Sequence, residues 1–290
     1  MYKIKFHHIL SVIERYDILL LDIWGVIFED SSVYHEVIEF VNHIIKQKQV
    51  FFISNAPRIK SAIISVLHNV GLTGIRDSMV ITSGEIARKK ILDIKQSKNI
   101  KNIRIYHLGN NLHTDLLNNI DYTASNKLSD TDILLLTLSK NSNDNLTEFD
   151  NLLKEAALMP NIVNICANPD IVSPHPDRIN YCSGYFANIL EQHGGKVIYT
   201  GKPKQDIYLE ILNNIQNIEP QKILMIGDTL ETDILGAMGS KIDSAIVMTG
   251  NIEKIHKSYK SFEEKLQAIN SHIDKIGIYP NFITKLGLHS

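Results

Sequence analysis

Ile18-Leu19-Leu20-Leu21-Asp22-Ile23-Trp24-Gly25-Val26 is the stretch that decides the fold. Ile18 to Ile23 shows no polar alternation, the pattern of a strand buried on both faces, and such strands lie inside parallel sheets covered by helices. From Ile18 to Phe28 the apolar run is broken by Asp22 and is too short to cross a bilayer. Working outward, Val33, Val37, Phe40, Val41, Ile44 and Ile45 recur at helical spacing. Val50–Ile53 reads as a second strand, Ser54-Asn55-Ala56-Pro57 as a turn, residues 58–69 as a helix and 79–82 as a third strand. The alternation continues through strands at 103–108, 133–138 and 162–166, with a helical stretch at 146–158. It resumes with a strand at 197–199, a helix at 207–215 and strands at 223–226 and 245–248. After Asn251 the chain is lysine-rich, reads as helical and offers no site of its own. Strands and helices in turn predict an α/β protein with a largely parallel, Rossmann-like sheet.

Bulk properties narrow the function. A chain of 290 residues is long enough for two domains or for one domain with an insertion. The formal net charge of −2 removes the electrostatic reason to expect nucleic acid as a partner. Cys166 and Cys182 build neither a disulfide framework nor a metal-ligand spacing, which predicts reduced thiols in a cytoplasmic protein. Met1 to His8 holds no apolar signal core, and no membrane segment is expected. Oligomeric state leaves no readable mark.

Four segments place polar groups just after apolar strands, where the carboxyl edge of an open parallel sheet gathers ligands. They are Leu21-Asp22-Ile23-Trp24-Gly25, Ile53-Ser54-Asn55, Thr200-Gly201-Lys202-Pro203 and Ile226-Gly227-Asp228-Thr229-Leu230-Glu231-Thr232-Asp233. Their carboxylates, hydroxyl, amide and single lysine suit a magnesium ion beside a phosphoryl group. Asp22 and Asp228 could ligate the ion, Lys202 adds a fixed cation, and Ser54 and Asn55 offer donors to phosphoryl oxygens. A carboxylate at Asp22 acting as nucleophile would divide hydrolysis into two steps.

These segments, in this order, resemble the four motifs of the haloacid dehalogenase superfamily, in its class IIA or NagD-like branch. The resemblance implies a magnesium-dependent phosphatase of small phosphorylated metabolites, such as sugar phosphates. It maps the nucleophile to Asp22, a metal-binding backbone carbonyl to Trp24, the phosphate-binding hydroxyl and amide to Ser54 and Asn55, and the lysine to Lys202. The last motif maps a metal ligand to Asp228 and a supporting carboxylate to Asp233. It also implies a core of residues 1–82 and 197–290 around an inserted α/β cap at 83–196. Within that cap, Cys166-Ala167-Asn168-Pro169-Asp170 resembles the loop that faces the active site, nominating Asn168 and Asp170.

The resemblance departs at Trp24. Ordinary phosphatases of the superfamily carry there a second aspartate, the general acid and base, although a subgroup of class IIA shares the tryptophan. Glu29 and Asp30 are the nearest acids that could replace it, and His175 reads as a loop residue. The rival to an enzyme is therefore a catalytically weakened protein that binds a phosphorylated ligand as a sensor or scaffold.

Overall fold

The computed structural model describes residues 3–29, 32–173, 178–213, 215 and 219–288. Asp30 and His175 lie outside the described residues. The chain forms two compact units: Met1–Ser54 with Ile63–Ile81 and Lys202–Ser290, and Asn55–Ala62 with Thr82–Gly201.

The first unit is built on a six-stranded sheet. Its order is Phe282–Thr284, Asp243–Val247, Ile223–Gly227, Ile18–Leu21, Gln49–Ser54, Val80–Thr82. Ile18–Leu21 is central, parallel to both neighbours, and all four of its residues are fully buried. Each such side chain contributes about 1.5–3 kcal/mol relative to an exposed one, so this strand anchors the sheet. The register sets Leu21 beside Ile226 and Phe52. Asp22, Asp228 and Ser54, each one or two residues further on, therefore emerge at the same carboxyl edge. Phe262–Ile276 packs Ile269 and Ile273 against Ile246 and Ile283 of the sheet. That helix starts at a Ser261–Glu264 capping box and ends at Gly277 in the left-handed conformation, as residues of these types dictate.

The second unit holds its own five-stranded parallel sheet, ordered Val197–Tyr199, Val163–Cys166, Ile133–Thr137, Ile103–Gly109, Tyr122–Ala124. Alternate residues of Ile133–Thr137 serve two cores. Ile133 and Leu135 pack with Ala87 and Ile91 of the helix Ser83–Ser97. Leu134 and Leu136 pack with Leu153, Phe186 and Leu190 from the helices Asp150–Ala157 and Ser183–Gln192.

Three details differ from the sequence reading. Val197–Tyr199 pairs with Val163–Cys166 in the second unit's sheet rather than opening the return to the first. A three-residue apolar run carries no information about which sheet it joins; pairing partners decide that. Residues 55–62 fall in the second unit, tied there by the Thr82 hydroxyl donating to the Arg58 carbonyl at 2.6 Å and by the Arg58–Asp115 ion pair at 2.5 Å. The chain after Asn251 also ends in a strand, Phe282–Thr284, besides its helices. Among the described residues no helix is long and apolar enough to cross a membrane.

Candidate active site

The first unit gathers four charged side chains at the carboxyl edge of its sheet. Asp22 follows the central strand, and its backbone N–H donates to the Ile226 carbonyl at 2.9 Å, which locks it to the neighbouring strand. Lys202 is 2% exposed; its ammonium pairs with Asp22 Oδ1 and lies 2.8 Å from Asp233 Oδ1, and it also donates to the Ile53 carbonyl at 3.2 Å. Asp233 is fully buried in the turn Leu230–Ile234, where its Oδ2 accepts the backbone N–H groups of Asp228 and Thr229, each at 3.1 Å. Asp228 accepts the Thr229 hydroxyl on Oδ1 at 2.9 Å and the Asn251 backbone N–H on Oδ2 at 2.6 Å. Oxygens of Asp22, Asp228 and Asp233 all lie within 4.8 Å of one another.

Three buried carboxylates around one ammonium are an electrostatic conflict. Burial, and then the Asp233 charge, push Asp22 well above the ordinary carboxylate range, while Lys202 pulls the other way. The same two causes raise Asp228 to about 7. Burial alone would lower Lys202, but Asp22 and Asp233 overcome it and hold the ammonium protonated. The cluster thus has a deficit of positive charge that a cation would fill.

The donors fit magnesium. They are oxygens only, the choice of a hard cation that keeps several waters. The backbone gives the carboxylate room: Gly25 has φ +83° and Gly250 φ +60°, and a Cβ on either would fall onto the Asp228 carboxylate. The Gly25 N–H donates to the Phe28 carbonyl at 2.8 Å. Because that peptide is planar and trans, the Trp24 carbonyl is directed to the opposite side. The Trp24 ring is half-buried and meets Phe28 edge-on, with centroids 5.2 Å apart.

Ser54 is buried at the end of Gln49–Ser54. Asn55 belongs to the second unit, where its amide donates to Asp170 Oδ1 at 2.7 Å; Asn168 Oδ1 in turn accepts the Asp170 N–H at 3.1 Å. Glu29 accepts the Tyr34 hydroxyl at 3.1 Å. The sequence reading overlooked Thr229, Thr249 and Asn251. Thr249-Gly250-Asn251 follows the apolar run 245–248, the same signature of polar residues after a strand that marked the other segments.

Two family models match the chain: one described as haloacid dehalogenase-like hydrolase over residues 19–123, and a HAD-hydrolase-like one over residues 199–272. The protein belongs to the haloacid dehalogenase-like hydrolases, in their NagD-like class. Its sequence is 30% identical over 87 residues to the dihydroxyacetone phosphatase of Corynebacterium glutamicum (strain R). That match spans 30% of this chain and 31% of that protein's length. In fold it is similar to a possible sugar phosphatase of the HAD superfamily from Cytophaga hutchinsonii ATCC 33406, with a TM-score of 0.79, 22% identity and 98% of both chains covered. It also resembles NagD from E. coli K-12, with a TM-score of 0.63, 20% identity, and 93% of this chain and 96% of that one covered.

Proposed function

We propose that this protein is a magnesium-dependent phosphatase of small phosphorylated metabolites, sugar phosphates among them, working through an aspartyl-phosphate on Asp22. The observation that carries the reading is the buried cluster of Asp22, Lys202, Asp228 and Asp233 at the carboxyl edge of the sheet. The substrate class draws support from two of the proteins it is similar to, a dihydroxyacetone phosphatase and a possible sugar phosphatase. Two free, buried cysteines accord with a cytoplasmic place of action.

Asp22, Asp228 and the Trp24 carbonyl would hold the ion, with Asp233 supporting from behind. When bound, magnesium neutralises charge on the phosphoryl oxygens. Asp22 attacks phosphorus, the bond to the leaving oxygen breaks, and the phosphoryl group resides on the carboxylate. Lys202 orients Asp22 and supplies a fixed positive charge. Ser54 would donate to one of the remaining oxygens. Water then displaces the aspartate at phosphorus, releasing inorganic phosphate and restoring the carboxylate. Trp24 has no group to move the protons of either step.

The test is phosphate release from a panel of phosphorylated metabolites with magnesium or with chelator. Asp22→Asn nearly preserves shape but removes the nucleophile, so it abolishes release with the fold intact, and beryllofluoride traps only the wild type. Turnover by Asp22→Asn comparable to wild type refutes the assignment. Trp24 is the one feature favouring the second reading, a phosphoryl-ligand binder without turnover; tight binding of a phosphorylated metabolite with no release would establish it.

A further inference from the structure

The segment Thr249–Asn251 touches the Gly25 backbone, Asp228 and Thr229, though it supplies no metal-binding carboxylate. The Thr249 hydroxyl donates to the Gly25 carbonyl at 2.6 Å. The Asn251 N–H holds Asp228 Oδ2, and its side-chain amide donates to Thr229 Oγ1 at 2.8 Å, the hydroxyl that itself holds Asp228 Oδ1. Between them, a Cβ built on Gly250 would lie 2.6 Å from the Gly25 Cα, so the two backbones meet in direct contact. One turn on, the buried His256 donates from Nε2 to the Met248 carbonyl at 3.0 Å and steadies the start of the segment.

These bonds have a directional consequence. Gly25 is flanked by two peptide groups. The one it shares with Trp24 is fixed by Phe28, and the next one is fixed by Thr249. Glycine at φ +83° offers little resistance to rotation of its own. Without Thr249 the second peptide loses its anchor, and the Gly25 turn that carries the Trp24 carbonyl is left held on this side by the Phe28 bond alone. On the opposite side, both oxygens of Asp228 are oriented by donors that depend on Asn251.

We propose that Thr249 and Asn251 are positioning residues that set the affinity of the Asp22–Asp228 site for magnesium, Thr249 through the Gly25 peptide and Asn251 through Asp228. This rests on the metal site assigned under the proposed function. Partners that orient metal ligands typically contribute 10–100-fold in affinity. The effect falls on metal binding more than on chemistry, because neither side chain reaches the reacting phosphoryl group through any bond described.

The experiment is magnesium titration of the full chain, followed by calorimetry and by fluorescence of Trp24, the only tryptophan, without substrate. Thr249→Val, Thr249→Ala, Thr249→Ser, Asn251→Ala and Asp228→Ala are compared with wild type. Thr249→Val and Asn251→Ala are expected to bind magnesium about 10–100-fold more weakly, and Thr249→Ser to bind near wild type because it restores the hydroxyl. In turnover assays the magnesium concentration for half-maximal rate rises by the same factor, while the rate at saturating magnesium stays within a few-fold (~3-fold) of wild type. If the valine methyl prevents folding, Thr249→Ala carries the comparison with Thr249→Ser. Unchanged affinity in Thr249→Ala and Asn251→Ala, with Asp228→Ala losing it, overturns the proposal and leaves the metal site standing. Unchanged affinity in Asp228→Ala overturns both.

Discussion

Asp228→Asn should make the metal-free protein more stable while destroying the proposed metal site. Asp228 is 1% exposed, and burial together with the Asp233 charge carries it from an ordinary 3.8 to about 7. One pH decade of such a difference corresponds to about 1.4 kcal/mol, so keeping Asp228 ionised at pH 8 costs on the order of 4 kcal/mol as a ceiling. The sign follows from counting protons. Between about pH 4 and pH 7 the folded protein keeps a proton on Asp228 that the unfolded chain has released, so stability falls as pH rises through this window. Below it both forms are protonated and the penalty is absent; above it the penalty is full. The amide nearly preserves shape: its oxygen accepts the Asn251 N–H, while its NH2 faces Thr229 Oγ1 and reverses the bond that the hydroxyl now donates, which trims the gain below the ceiling. Trp24 lies in the first unit, so its fluorescence follows unfolding of the unit that holds the site. In chelator at pH 8, Asp228→Asn should melt higher by on the order of 10 °C at most, and the gain should shrink towards pH 5. Excess magnesium should narrow the gap by stabilising only the wild type, by about 2.7 kcal/mol at a hundredfold excess over Kd. A lower melting temperature for Asp228→Asn in chelator at pH 8, or a gain that does not shrink on acidification, refutes the electrostatic account.

Lys202→Met should act in the opposite direction, costing about 3–5 kcal/mol, because it strips the ammonium from the buried Asp22 and Asp233 carboxylates; an unchanged unfolding midpoint in chelator counts against the pairing. Leu20→Ala, in the centre of a strand buried on both faces, should cost about 2–5 kcal/mol by urea unfolding, and a cost below about 1 kcal/mol would remove that strand from the core. With Trp24 lacking a transferable proton, an aryl phosphate should be cleaved about 10²–10⁴-fold faster than a sugar phosphate in single turnover. Trp24→Asp should narrow the gap, and equal rates in wild type would mean that another group supplies the proton.

The fold was legible because burial on both faces leaves a mark that survives in one dimension. Ile18–Leu21 has no polar alternation, and only the interior of a covered parallel sheet tolerates that. The acids were legible for a related reason: Asp22, Asp228 and Asp233 sit beside strands too apolar to carry a charge without a use for it. Thr249 and Asn251 escaped notice because a hydroxyl and an amide after a strand are ordinary turn formers.

The sequence by itself determined the α/β class, the strand at Ile18 that is buried on both faces and the polar segments that follow apolar strands, since each rests on local apolar periodicity. Only the tertiary structure decided which sheet Val197–Tyr199 joins, for a short apolar strand pairs with whichever edge the rest of the chain presents. Tertiary structure alone also decided that Asn55 donates to Asp170, 115 residues away, and that Lys202 stands between Asp22 and Asp233. The closing of Thr249 onto Gly25, 224 positions apart, is of the same kind. Side-chain hydrogen bonds act over about 3 Å, and the distances they span along the chain leave no periodicity from which a partner could be read.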